Sequence, residues 1–424
     1  MNLRSVLAID QGTTNTKALL VAEDGRVLAQ ASAPLTSVYP QPAWAEQSGE
    51  AIWASVQSVI ARIVASGMPI DAVAIANQRE TLVVWDARSS MPICPAILWQ
   101  CRRTADICDR LIAGGHDPDV VAATGLGINP LFPASKLGWV MAHVPAAAEL
   151  ARTGHLRAGT VDAWLLWNLT GGISFATDHS NASRTQVFNT RTLTGDAALC
   201  DLFNVPMGAL AAPMPPDSRF GETAWGVTDL PAGVPVLAMM GDSHAALYGH
   251  GVRAPGTVKA TYGTGSSLMT LTPGRVGSAH GLSGTIAWTT RDGTAHALEG
   301  NITVSAQAAA YMAKMLGLAD AGALSDLAQT VTGSDGVTFV PALAGLGAPH
   351  WDDHATGAID GLTLGSAPAH VVRATFEAIA FQIADVFAAM EADVGARLES
   401  LRADGGASRW KRAVGRAKSG RAPS

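Results

Sequence analysis

Val6-Leu7-Ala8-Ile9-Asp10-Gln11-Gly12-Thr13-Thr14-Asn15-Thr16-Lys17-Ala18-Leu19-Leu20-Val21 is the stretch from which the rest of the chain can be read. It opens with a four-residue apolar run, as expected for a short strand buried on both faces, and the run ends in a carboxylate. A Gly-Thr-Thr turn leads to a second apolar run, residues 18–21, and Asp24-Gly25 marks a hairpin turn into Arg26-Val27-Leu28-Ala29. From Glu50 onward Ile52, Val56, Val59, Ile60 and Ile63 recur at helical spacing, and strands are expected again at residues 73–76 and 82–85. A strand meander followed by helix and strand is an α/β order.

The same grammar returns later. Val236-Leu237-Ala238-Met239-Met240 delivers Gly241-Asp242 at its tip, and residues 257–262 enter a Gly263-Thr264-Gly265 turn that leaves through residues 268–271. Val372, Phe376, Ile379, Ile383, Val386 and Met390 predict a long amphipathic helix. Two similar halves facing each other across a cleft would bring both Gly/Thr turns onto one nucleotide.

Composition sets the bounds. A chain of 424 residues, 48% hydrophobic and 15% charged, is globular and large enough for two domains. Its 29 Lys+Arg against 35 Asp+Glu give −6, which argues against nucleic acid as the main partner. No stretch approaches the roughly 18 apolar residues of a membrane span. The start runs from Met1-Asn2-Leu3-Arg4-Ser5 straight into a strand, with no room for a signal peptide. Four cysteines form neither a disulfide framework nor a zinc spacing, so the expected compartment is the cytoplasm.

The residue pattern nominates a site. In the first turn, glycine lets backbone N–H groups point at phosphate and the threonine hydroxyls add donors. Asp10 at the strand end is placed to hold Mg²⁺ through water, and Lys17 to compensate charge. The Gly-Lys-Ser/Thr ending of a Walker A loop is absent, and a plain polar hairpin is the competing reading. Gly263-Thr264-Gly265-Ser266-Ser267 is a second candidate phosphate turn. Gly345-Leu346-Gly347-Ala348-Pro349 opens like a dinucleotide fingerprint but lacks the later glycine, so a loop is expected. Asp242 is the candidate general base for phosphoryl transfer to an alcohol; a turn former or helix cap is the alternative. Arg79-Glu80 sets a donor beside an acceptor, suited to vicinal hydroxyls, against the alternative of a surface salt bridge. The eleven histidines show no ligand spacing. Trp164 and Trp167 are expected in helix cores, whereas Trp99 precedes the polar run Gln100-Cys101-Arg102-Arg103.

Taken in order, Ile9-Asp10-Gln11-Gly12-Thr13-Thr14, Asn77-Gln78-Arg79-Glu80-Thr81, Trp99-Gln100-Cys101-Arg102-Arg103-Thr104-Ala105, Gly159-Thr160-Val161-Asp162, Asn181-Ala182-Ser183-Arg184-Thr185, Tyr262-Gly263-Thr264-Gly265 and Gly345-Leu346-Gly347-Ala348-Pro349 resemble the FGGY family of carbohydrate kinases, and within it the glycerol kinases. The resemblance runs from residue 7 to 408. It implies an α/β, two-domain, actin-like ATPase (RNase H-like) fold with an interdomain cleft. The N-terminal domain would span 1–238, with polyol or sugar and phosphate binding, and the C-terminal nucleotide-binding domain 239–408. By match, Thr13, Thr14, Asn15, Lys17, Gly263, Thr264, Gly265 and Gly406 fall on nucleotide positions. Arg79, Glu80, Trp99, Asp242 and Ser243 fall on the polyol side, with Asp242 as catalytic base, and Asp10 matches the carboxylate associated with Mg²⁺. The implied activity is ATP-dependent phosphorylation of a sugar or polyol hydroxyl; assembly into a homo-oligomer stays open.

Departures from the family pattern bear on the substrate. Leu131 stands where glycerol kinases place a tyrosine against the polyol, Ser243 replaces a glutamine and Ser267 a phenylalanine. A wider pocket is expected, favouring a tetritol, pentitol or ketopentose over glycerol. Ala306 and Ala310 replace nucleotide-contacting Gly and Gln. Residues 409–424 carry Arg409, Lys411, Arg412, Arg416, Lys418 and Arg421 with no acidic residue, and Trp410 occupies a family Asn position. This end is expected to be a frameshift product that leaves the second domain incomplete, with a natural basic tail as the alternative. A catalytically impaired chain that at most binds substrate is the competing functional reading. An actin-like scaffold or chaperone ATPase fits the fold but gives Arg79-Glu80 and Trp99 no purpose.

Overall fold

The computed structural model describes residues 5–405. They form two compact units: the first runs to Ala245 and includes Thr285–Ala295, and the second runs from Ala246 to Gly284 and onward from His296. Asp242 therefore belongs to the first.

The opening stretch folds as β1 (Ser5–Gln11), β2 (Asn15–Ala22) and β3 (Val27–Pro34), an antiparallel meander with Asp10 paired to Lys17. Helix α1 (Gly49–Val64) starts at Ser48, whose side chain accepts from the Ala51 N–H, and carries Glu50 in its first turn and Arg62 in its last, complementing the helix dipole. The next strand, β4 (Ala72–Asn77), lies parallel to β1. Helices α2 (Pro133–His143), α3 (Val161–Leu169) and α4 (His179–Ala182) follow, then β5 (Gly221–Glu222) and β6 (Pro235–Gly241), which runs parallel to β4. The resulting sheet has the order β5-β6-β4-β1-β2-β3.

Ile52, Val56, Val59, Ile60 and Ile63 of α1 are all fully buried, against Leu7, Ile9, Ala18, Leu20, Val73 and Ile75. Each such side chain contributes about 1.5–3 kcal/mol by leaving water. The expectation that β1 is buried on both faces does not hold. Leu7 and Ile9 are buried but Val6 is 38% exposed, because the α1 layer covers only one face and the strand alternates about it. Trp164 and Trp167 sit in the core on α3, with Trp164 edge-on to Trp85.

Helix α5 (Asp242–Gly249) leaves the tip of β6. A second sheet is formed by β7 (Thr257–Tyr262), β8 (Ser266–Thr272), β9 (Ser283–Thr290), β10 (Gly293–Ile302) and β11 (Ser400–Asp404), of which the stretch Thr285–Ala295 is counted with the first unit; α6 (Ala306–Met315), α7 (Ala321–Ala328) and α8 (Pro368–Val394) belong to the second unit. The order of this sheet is β9-β10-β8-β7-β11, and β11 is parallel to β7. Helix α8 buries Val372, Val386 and Met390 along one stripe, as its spacing predicts. Residues 345–349 form a loop, as expected. No helix among the described residues is long and apolar enough to cross a membrane.

Candidate active site

Strands β6, β4 and β1 are adjacent and mutually parallel, so their C-terminal ends emerge on one edge of the first sheet. Register places Asp10 beside Ala76 and Gly241 beside Asn77. The residues just beyond are Gln11-Gly12-Thr13 from β1, Gln78-Arg79-Glu80 from β4 and Asp242 from β6. Open α/β sheets place ligands at this edge, outside the carboxyl ends of parallel strands.

Arg79 and Glu80 are 5% and 3% exposed, so they are not a surface salt bridge. The Arg79 Nε donates to Asp242 Oδ1 at 3.2 Å, and its Nη1 lies 3.9 Å from Glu80 Oε1. That same Oε1 accepts from Nε of the fully buried Arg184 at 2.7 Å. Asp242 opens α5; its Oδ1 also accepts from the Ser243 N–H at 2.6 Å, while the side chain stays 43% exposed. The arrangement is a buried donor–acceptor pair with a more accessible carboxylate at its rim.

Gly241 makes this packing feasible. A Cβ there would lie 2.6 Å from Arg79 Cδ and 2.7 Å from Cγ, and 3.1 Å from His244 Nδ1. Gly241→Ala is therefore expected to displace the Arg79 side chain and raise the acceptor-substrate KM by about 10- to 100-fold. Steady-state kinetics check this, since the nucleotide KM should change far less.

The first Gly/Thr turn is propped from beneath by glutamines. Gln11, Gln47 and Gln78 are all buried. Gln47 Nε2 donates to the Thr13 carbonyl at 2.5 Å, and Gln78 Nε2 donates to Gln11 Oε1 at 3.2 Å and Gln47 Oε1 at 3.3 Å. The Thr13 hydroxyl donates to Gln78 Oε1 at 3.1 Å and accepts from Trp99 Nε1 at 3.0 Å. Its hydroxyl is thus engaged inside the unit, as donor to Gln78 and acceptor from Trp99. Gly12 N–H closes the turn onto the Asn15 carbonyl, with Thr14 and Lys17 exposed beside it. Asp10 is exposed at the end of β1, yet surrounding protein atoms limit the hydration of its carboxylate. That desolvation lifts its pKa from 3.8 to about 6, the Asp242 carboxylate adds in the same direction, and Lys17 opposes.

In the second unit, the 263–265 turn packs on the start of α6. Ala306 N–H donates to the Gly263 carbonyl, and Ser305 and Gln307 N–H to the Thr264 carbonyl, leaving the Thr264 residue exposed. Ala306 thereby serves the turn through its backbone, and Ala310 is exposed one turn later. Gly405, at φ +89°, lies against the Tyr262 carbonyl where a Cβ would collide. The end of β11 thus meets the beginning of the turn. Gly406 and residues 409–424 lie outside the described residues. The Ser267 hydroxyl donates to Glu299 Oε1 at 2.6 Å. Leu131 and Ser243 are buried in the first unit.

Comparison with known proteins shows the family. Residues 5–249 match the FGGY family of carbohydrate kinases, N-terminal domain, and residues 258–414 the C-terminal domain of the same family. The chain belongs to the FGGY family of carbohydrate kinases. It is 45% identical over 413 residues to a glycerol kinase of Symbiobacterium thermophilum, covering 96% of this chain and 82% of the relative. It is 46% identical over 412 residues to an apulose kinase of Pectobacterium atrosepticum, with the same coverage of each chain. The structure of Plasmodium falciparum glycerol kinase with ADP superposes with a TM-score of 0.87 at 29% identity, covering 96% of this chain and 82% of that one. This FGGY kinase is thus a phosphotransferase with an alcohol group as acceptor, on the two-domain actin-like α/β fold that the sequence resemblance implied.

Several residues that shape the site carried no assigned role in the sequence reading. Arg184 was visible within the 181–185 motif, but nothing in the sequence ties it to Glu80, 104 residues away. Gln78 was likewise visible only as a member of the 77–81 motif, and Gln47 and Lys136 gave no signal, since a buried amide or amine is identified by its partners rather than by its neighbours in the chain.

Proposed function

We propose that this FGGY kinase transfers the γ-phosphoryl group of ATP to a hydroxyl of a sugar or polyol, with Asp242 as the general base. The observation that carries this reading is the convergence of Asp242 with the buried Arg79–Glu80 pair at the ends of parallel strands. Arg79 donates to and Glu80 accepts from vicinal hydroxyls, Trp99 walls the pocket, and Asp242 takes the proton of the attacking hydroxyl. The turns containing Thr13, Thr14, Asn15 and Lys17, and Gly263, Thr264 and Gly265, are each proposed to bind nucleotide phosphates through backbone N–H groups, with Lys17 compensating charge.

Asp10 fits Mg²⁺. It is a hard oxygen donor whose charged form its surroundings disfavour, so an arriving cation restores the carboxylate. No cluster of three or more His, Cys, Asp or Glu suited to a metal occurs among the described residues, in keeping with an ion held mainly by water and nucleotide. When bound, the ion neutralises phosphate charge. Because the Asp10 pKa is raised to about 6, the group is charged above that pH and neutral below it. MgATP affinity is therefore expected to fall as pH drops through about 6, whereas Asp10→Asn gives weaker binding with no such step. Titration calorimetry across this range checks both.

Leu131, Ser243 and Ser267, in place of larger or polar walls of glycerol kinases, favour a tetritol, pentitol or ketopentose over glycerol. The two relatives named above, a glycerol kinase and an apulose kinase, are almost equally similar and do not decide between these substrates. ADP release measured against glycerol, erythritol, the pentitols and ketopentoses tests this. A kcat/KM for glycerol exceeding all longer substrates contradicts the wide-pocket reading.

A further inference from the structure

Lys136 is fully buried and has no part in the chemistry above. It sits in the first turn of α2, and because helical side chains lean toward the N-terminus, it runs back past the helix start. There its Nζ donates to three carbonyls: Leu131 at 2.7 Å, Glu80 at 3.2 Å and Trp99 at 3.4 Å. An ammonium has three N–H donors, one for each. The three acceptors come from three separate segments, and all three residues belong to the acceptor pocket proposed above.

The position is costly for a cation. Burial strips the ammonium of water, and the first turn of a helix repels positive charge. Burial pushes the Lys136 pKa down to about 7; Cys101, Glu80 and Cys108 act to hold the proton, and Arg103 opposes them. A methionine would fill the same volume with neither penalty. What it would not do is hold three carbonyls. Glu80 needs that hold: its φ of +61° is left-handed for a residue with a side chain, a conformation that costs about 1–3 kcal/mol and persists only where surroundings over-determine it. Arg184 fixes the Glu80 carboxylate and Lys136 its backbone. Leu131 is likewise gripped at both ends, its N–H by Asn129 Oδ1 at 2.9 Å and its carbonyl by Lys136. Trp99 N–H donates to Thr81 Oγ1 at 3.2 Å while Lys136 holds its carbonyl.

We propose that Lys136 is a positioning residue that sets the mutual spacing of Glu80, Trp99 and Leu131, and with it the size and affinity of the acceptor pocket. This rests on the assignment of that pocket in the preceding section.

The test compares wild type with Lys136→Met, which keeps volume and removes every donor, and Lys136→Gln, which keeps two. Steady-state kinetics are measured for acceptor and MgATP, with thermal melting alongside. The expected result is an acceptor KM raised about 30-fold or more in Lys136→Met, an altered preference between short and long polyols, a MgATP KM within about 2-fold of wild type, and partial recovery in Lys136→Gln. An unchanged acceptor KM in Lys136→Met overturns the proposal, as do acceptor and MgATP KM values that rise together with a lowered melting temperature. If neither variant folds, acceptor affinity of the wild type from about pH 6 to 9 decides. Loss of the third donor should weaken binding above about 7, and a flat profile overturns the idea. A wild type that phosphorylates no acceptor removes the pocket assignment itself, an outcome distinct from an active enzyme indifferent to residue 136.

Discussion

Asp242→Asn is expected to lower kcat by about 10³-fold while leaving the acceptor KM within a few-fold of wild type. The geometry makes this substitution unusually clean. Both donors that hold the Asp242 side chain, Arg79 Nε and the Ser243 N–H, fall on the same oxygen, Oδ1. An asparagine carbonyl oxygen can take that place and keep both bonds, so the side chain stays where it is. The change falls on the other oxygen, which becomes an NH₂ that cannot accept a proton. Positioned general bases contribute roughly 10²–10⁴ in rate, and the residual activity reflects phosphate binding and orientation that the variant retains. Steady-state and single-turnover rates of ADP formation measure it. A kcat within about 5-fold of wild type would mean that the attacking hydroxyl loses its proton elsewhere.

Glu80→Ala is expected to cost about 3–5 kcal/mol of stability and to abolish measurable acceptor binding. The Glu80 carboxylate lies between two guanidiniums that are themselves buried, Arg184 at 2.7 Å and Arg79 at 3.9 Å. Deleting the anion takes from the buried Arg184 the carboxylate it pairs with and leaves Arg79 with Asp242, and breaking a buried pair by removing one partner carries a cost of that size. Alanine gives no relief at φ +61°, because it suffers the same left-handed clash as glutamate. Glu80→Gln keeps an acceptor for Arg184 and should lose roughly half as much. Denaturant unfolding followed by fluorescence is weighted toward the first unit, whose core holds Trp85, Trp164 and Trp167. A loss under about 1 kcal/mol for Glu80→Ala would show that solvent, rather than this carboxylate, screens the two arginines.

The elements that position the site were legible because each announces itself locally. Residues 6–9 and 236–240 are apolar runs with a carboxylate at or just beyond the tip, and Ile52, Val56, Val59, Ile60 and Ile63 mark one helical stripe. The structure places Asp10, Arg79 and Asp242 at one sheet edge because β1, β4 and β6 are parallel neighbours, a fact of pairing that no single segment encodes. The one-sided burial of β1 was missed for a related reason: a four-residue apolar run reads alike whether one or both faces are covered. The supporting layer was not legible. Gln78 reaches Gln11 across 67 positions, Lys136 reaches Glu80 across 56, and the requirement for glycine at 241 appears only once the Arg79 side chain is in place.

The most direct test follows the phosphoryl group itself. ATP labelled at the γ-phosphate is incubated with the enzyme, Mg²⁺ and a panel running from glycerol to pentitols and ketopentoses, and the products are separated. Label is predicted to appear in a phosphate ester of one of the longer acceptors, and to be reduced about 10³-fold in Asp242→Asn. Label found only in free phosphate with every acceptor, or an ester formed equally fast by Asp242→Asn, would contradict the account.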